Sequence, residues 1–290
     1  MKAALIKLHI AVFLWGFTGV LGKTIDLNEG LLVWYRLLIT VISLFILMKW
    51  KNEIDKISFS QILRLTAIGS IVALHWVFFY GSIKYANVSI ALICLSSSGL
   101  MTSLLEPLIL GRKIVINEVL LGSVALLGIY LIFHFDIKFR IGIIVGVLSA
   151  LFSVIFSILN KRTIANTNPK TMMLYELGGG FIILTSLMPL YLKLFPTEKI
   201  VPTNKDFVWL LLLSWVCTIL AMDLSLQALK KISAFTQNLT LNLEPVYGII
   251  LAFVIYKENK DLSNTFYIGF TLIFIAVIIQ MLRIVKFKKH

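Results

Sequence analysis

The sequence predicts an all-α integral membrane protein: ten transmembrane helices in two inverted five-helix repeats. Three observations lead there. The 290 residues are 59% hydrophobic and only 14% charged, with mean hydropathy +0.95, whereas a soluble domain carries roughly 25% charged residues. Ten apolar runs have the length of a bilayer crossing, roughly 17–25 residues each. Stretches of the first half also recur in the second. The runs are too long and too uniformly apolar for β-barrel strands, which alternate over roughly ten residues. A helix, by contrast, satisfies its own backbone in lipid.

The spans fall at about 5–22, 30–48, 62–82, 88–110, 115–134, 140–159, 172–194, 207–228, 234–256 and 264–284, as lengths near 20 residues require. Span 1 follows lysines, as a signal peptide would, but no small-x-small cleavage site comes after it, so it reads as a retained helix. Span 2 opens "LLVWYRLL" and span 7 opens "MMLYELGG", which puts Arg36 and Glu176 at matching positions. Span 3 carries "ALHWVFFYGS" and span 4 carries "SSSG". Span 5, "LLGSVALLGIYLIF", resembles span 10, "YIGFTLIFIAVIIQM", with Gly122 and Gly269 in similar places. Span 3 into span 4 reads "YGSIKYANVSIALICL", and span 8 into span 9 reads "DLSLQALKKISAFTQNL". Each has a long helix, one or two basic residues, a short turn and a serine.

Setting Ser89 against Ser233 gives an offset of 144, which also matches Leu110 with Val254. The repeat unit is five spans, an odd number, so the second copy enters the membrane from the opposite face. Inverted repeats of this kind build secondary transporters. The boundary is placed between residues 138 and 139, giving repeats 1–138 and 139–290.

Net charge is +13. The basic residues sit at span ends, so the positive-inside rule accounts for them and no nucleic-acid partner is needed. Seventeen of the 27 fall on the side of the termini, nine on the other, and Arg36 lies within span 2. Both termini are therefore expected in the cytoplasm, and the absence of a targeting segment suits a multi-pass protein of the cytoplasmic membrane. Cys94 and Cys217 lie inside spans and read as small buried residues rather than a disulfide pair.

The chain resembles the drug/metabolite transporter superfamily, in its ten-helix EamA-like branch. "FLWGFTGVLGK", "VWYRLLI", "VSIALICLSSSGLMTSLLEPLILGRKI", "LNLEPVYGIILAFVIYKEN" and "IGFTLIFIAVII" carry the resemblance by their order and spacing. It implies two five-helix repeats, cytoplasmic termini and export of small organic metabolites. One departure is visible. The acid that the family often has after Leu-Gly at the end of span 4 is replaced by Arg112 and Lys113, while span 9 keeps Glu258.

Site residues come from polarity inside the spans, because an ionised side chain in mid-membrane costs several kcal/mol unless it is paired or wetted. Gln237, Thr240, Glu244 and Tyr247 share one helical face, with Asn238 and Asn242 in the next column. Pro245 removes an N–H and frees the carbonyl of Leu241. This stripe reads either as substrate coordination at a bend or as a structural kink with Glu244 neutralised. His75 and Phe79 share a face of span 3 beside Trp76, and Asp223 lies at similar depth in span 8, which leaves a His75–Asp223 pairing open. Ser96 and Trp15 line a cavity or serve packing. Glu106 reads as an interfacial ion pair, a gate or a ligand contact; Arg36 and Glu176 read as gating or interfacial charges; Asp223 and Glu244 are candidates for proton coupling.

The reading is thus a secondary-active or facilitative exporter of small amphiphilic metabolites, amino acids among them, working by alternating access. No metal-ligand spacing, Gly-x-Ser-x-Gly or phosphate-cradling loop occurs, so no cofactor or metal is expected. The alternative is a membrane-embedded enzyme acting on a lipid or small metabolite. Oligomeric state is left open.

Overall fold

The computed structural model describes residues 2–111, 113–163, 168–229, 240–241 and 243–287. Spans 1 to 7 are Lys2–Thr24, Glu29–Trp50, Phe59–Tyr85, Val88–Leu110, Ile116–Phe135, Arg140–Thr163 and Pro169–Leu194. Span 8 is built from Asn204–Ser214, Trp215–Leu220 and Ala221–Leu229; span 9 is described over Glu244–Tyr256 and span 10 over Asn264–Phe287. Eight of these helices are long and apolar enough to cross a membrane, and two shorter apolar helices belong to spans 9 and 10. Gln237, Asn238 and Asn242, three members of the expected polar stripe, lie outside the described residues.

Local chemistry fixes where the spans begin. The side chains of Asn28, Asn87 and Asn168 accept hydrogen bonds from first-turn amides of spans 2, 4 and 7. Ser58 with Gln61 and Thr203 with Asp206 form reciprocal capping boxes for spans 3 and 8. Each cap satisfies amides that the first helical turn leaves without a partner. In lipid that matters more than in water, because nothing else is there to accept them.

The outside of the bundle is apolar: Ile42 is 50% exposed and Val254 72%. The inside holds the polar groups, with Arg36, Thr40, His75, Ser82, Ser149, Glu176 and Thr218 all buried. That exposed apolar surface suits a hydrocarbon solvent.

Span 3 lies against spans 6 and 7, span 1 against spans 8 and 9, span 5 against span 10, and span 4 against spans 6 and 9. These pairs exchange when each span is replaced by the one five places along. Pair 3–6 becomes 1–8, pair 1–9 becomes 4–6, pair 3–7 becomes 2–8, and pairs 2–7, 4–9 and 5–10 return to themselves. Glycines allow the closest of these approaches. A Cβ added to Gly128 or to Gly269 would meet the other's carbonyl oxygen at 2.6 Å. Gly16 would meet the Glu244 carbonyl and the Gly248 amide at 3.0 Å. Small residues let membrane helices touch backbone to backbone. The residue opposite Gly269 is therefore Gly128, whereas Gly122, the residue matched from sequence, packs on Leu100 of span 4.

Three irregularities interrupt the spans. Span 4 breaks at Ser96 and Ser97, between helices Val88–Leu95 and Ser98–Leu110. Span 9 breaks just before Glu244, with Leu243 in a turn whose amide donates to the Thr240 carbonyl at 3.0 Å. Span 8 carries a wide π turn over Trp215–Leu220. Pro245 consequently occupies the first turn of its helix, where an absent N–H leaves no bond unmade. It starts a helix rather than kinking one.

Candidate functional site

The site grows from the two breaks. Span 4 runs away from the opposite face and span 9 runs toward it, so the two are antiparallel where they touch. Leu92 of span 4 packs on Gly248 of span 9. Ser96 lies one turn beyond Leu92 and Glu244 one turn before Gly248, so both sit one turn further toward the N-terminal face. Ser98 and Glu244 each begin the helix that follows a break. The counterpart of Glu244 is thus the serine run, and Glu106 belongs to a later turn of span 4. Around Gly99 a Cβ would meet no atom within 4 Å.

Spans 1 and 3 close the neighbourhood. Trp15 precedes Gly16, which sits on the Glu244–Gly248 backbone, and Tyr247 stacks edge-on with Phe13. Gly19 faces Phe79 and Leu92 together. Trp15, Glu244, Tyr247 and Ser96 are half-buried, and Thr240 is buried.

Arg36 is 4% exposed and held by groups from spans 3 and 8. Nη1 donates to the Tyr80 hydroxyl at 2.8 Å, and Nε and Nη2 both donate to Thr218 Oγ1 at 3.1 and 2.9 Å. The guanidinium lies 3.6 Å from the centre of the Trp76 ring, a cation–π distance. The π turn of span 8 presents Thr218, whose own hydroxyl donates back to the Leu213 carbonyl. Among the described residues no carboxylate approaches Arg36 within ion-pair distance. Tyr80, Ser214 and Thr218 were not singled out from sequence. No sequence signal pointed to Thr218, and Tyr80 stood only within the aromatic run of "HWVFFY".

The remaining candidates separate into other networks. His75 Nδ1 lies 2.9 Å from the Ser149 carbonyl oxygen and 2.9 Å from the Ser149 hydroxyl. The Ser149 hydroxyl donates to the His75 carbonyl in return. Asp223 accepts from Gln227 Nε2 at 2.6 Å, and Gln227 Oε1 accepts from Lys7. His75 therefore contacts span 6 and Asp223 ties span 8 to span 1; the two do not pair. Glu176 is also buried, and it accepts from Asn160 Nδ2 at 3.0 Å. Glu106 is half-buried in span 4 and makes a contact of its own.

A second acid proved structural. Glu258, 1% exposed, accepts from the amides of Val88 and Ser89, from the Ser89 hydroxyl at 2.6 Å and from Lys23 at 2.8 Å. An anion at a helix start is stabilised by the free amides and the helix dipole. The end of span 9 thereby bolts the starts of span 4 and the end of span 1 together on the face opposite the N-terminus.

Comparison with known proteins decides the family. The model of the EamA-like transporter family matches residues 2–134 and again 140–282. The chain belongs to the EamA-like transporter family. The two matches divide this EamA-like protein into the two five-span repeats that its packing pairs display. No curated protein matches it. One solved structure, described only as "Crystal structure of protein", is similar over 99% of this chain and 99% of that chain, with TM-score 0.62 and 16% identity. At that identity the similarity concerns the fold alone. Membership makes the EamA-like chain a multi-pass membrane transporter of small molecules.

Proposed function

We propose that the protein is a secondary-active or facilitative exporter of small amphiphilic metabolites, amino acids among them. It works by alternating access of two inverted halves, residues 1–138 and 139–290. The observation that carries this reading is a pair of unlike charges held apart. Arg36 is buried with aromatic and hydroxyl partners but no acid among the described residues, and Glu244 opens the helix after the break of span 9. Separated in this way, the two complement a zwitterion: a substrate carboxylate fits the guanidinium fork, and an ammonium fits Glu244. Trp15, Trp76, Phe79 and Tyr247 supply apolar walls, and Ser96 supplies a hydroxyl at the matching break of span 4.

Discontinuous helices in corresponding positions of two repeats mark the binding region of transporters. Five spans per repeat also make span n and span n+5 run in opposite directions, which supports the inverted arrangement and an access change by rocking. Gln237, Asn238 and Thr240 keep the substrate-contact roles assigned from sequence. Asp223, Glu106 and Glu176 keep the gate or coupling roles assigned from sequence. Both termini are placed in the cytoplasm on the distribution of basic residues.

The test is transport by the purified protein in vesicles loaded with a metabolite mixture. Selective loss of zwitterionic solutes against protein-free vesicles supports the reading. Chemical conversion of a solute without its movement across the bilayer favours a membrane-embedded enzyme instead.

A further inference from the structure

Spans 3 and 6 line a cavity away from the two breaks. It holds about 230 Å³ and is lined by Arg64, Ala67 and Ile68 of span 3 and by Leu159, Arg162 and Thr163 of span 6. Span 3 begins and span 6 ends on the N-terminal face, so the cavity opens where that face meets water. Both arginines are exposed. Neither has a hydrogen bond, ion pair or ring contact among the described residues, and no acid lines the space. The Thr163 hydroxyl is already spent on the Leu159 carbonyl, which leaves a floor of Ala67, Ile68 and Leu159.

We infer that this cavity binds the phosphodiester headgroup of an anionic phospholipid from the leaflet on the N-terminal face. Two guanidinium forks match phosphate oxygens in a bidentate geometry that lysine does not offer. The apolar floor accommodates the glycerol and upper chain of a lipid, for which a free inorganic anion has no use. Basic pockets between membrane helices on the cytoplasmic side hold anionic headgroups in this manner, and the leaflet's own negative potential concentrates the ligand there. A lipid seated between spans 3 and 6 bridges the two halves of the chain at one of their broadest contacts. The inference does not depend on which solute is transported.

The experiment compares thermal unfolding and native mass spectra of the full chain in mixed micelles. The micelles contain phosphatidylglycerol, phosphatidylcholine or no lipid, and a separate arm contains millimolar inorganic phosphate. Phosphatidylglycerol should raise the melting temperature by several degrees and leave a retained lipid adduct, with phosphatidylcholine and phosphate doing neither. Arg64→Ala with Arg162→Ala should remove both effects. Lys49→Ala with Lys51→Ala, which deletes the same charge from the same face, should keep them. Equal effects of the two lipids, or the same effect from phosphate alone, would overturn the inference. So would an equal loss in the lysine variant. The lipid comparison uses the unaltered protein, so it decides even if the arginine variant fails to fold.

Discussion

At the residue scale, Arg36 and Glu258 are both buried and differ in their partners: an aromatic ring and hydroxyls at Arg36, two amides, a hydroxyl and a lysine at Glu258. Arg36 and Glu176 occupy matching positions in their repeats, and counting along the helix put both near an interface. Depth along a helix says nothing about what surrounds it. Tyr80 and Thr218, which hold Arg36, lie 44 and 182 residues away in sequence. Arg36→Lys should be as damaging as Arg36→Ala, because an ammonium offers neither the planar fork nor the stacking on Trp76. Both should slow solute efflux from vesicles about tenfold or more, about 1.4 kcal/mol or above, with the variants still eluting as folded protein. Glu244 was legible in the sequence, since an acid inside an apolar run declares itself. Thr218 was not, because it acts only through the π turn, and a shift of helical register leaves no trace in hydrophobic periodicity. Glu244→Gln bears on energy coupling. If a pH gradient drives accumulation, the variant should abolish that accumulation while downhill exchange survives. Unchanged accumulation would return Glu244 to a role without protons.

At the element scale, the sequence supplied the spans and their order, because twenty apolar residues have few other fates. It placed a bend at Pro245, and the structure turned that bend into a helix start. It overlooked the break at Ser96 and Ser97, which no proline announces. It also left Glu258 without a role, because its partners Lys23 and Ser89 come from 235 and 169 residues away. Glu258→Ala should destabilise the protein by roughly 3 kcal/mol, since it orphans two amides and a lysine. Glu258→Gln should cost less, about 1–2 kcal/mol, because one oxygen still accepts. Chemical or thermal unfolding in detergent measures both. Gly128→Val should also destabilise, by about 1–3 kcal/mol, through overpacking at the Gly269 carbonyl.

At the scale of the whole molecule, two related five-span units meet through exchangeable pairs, and the site lies where the broken members of those pairs touch. The face opposite the N-terminus is bolted by Glu258. On the N-terminal side, the described half of span 4 after its break leans on spans 5 and 6. Cysteines placed at Lys2 and His290 should resist an impermeant thiol reagent in intact cells, and labelling of either would reverse the orientation. The central claim is that unlike charges at Arg36 and Glu244 select a zwitterion. Its most direct test is efflux of a defined set of solutes from vesicles containing wild-type, Arg36→Ala or Glu244→Gln protein. Each amino acid is set beside its amide, which lacks the carboxylate, and its deaminated acid, which lacks the ammonium. The account predicts that wild-type protein passes the zwitterion over both analogues and that each variant loses this preference. Equal passage of all three by wild-type protein, or an unaltered preference in the variants, would contradict it.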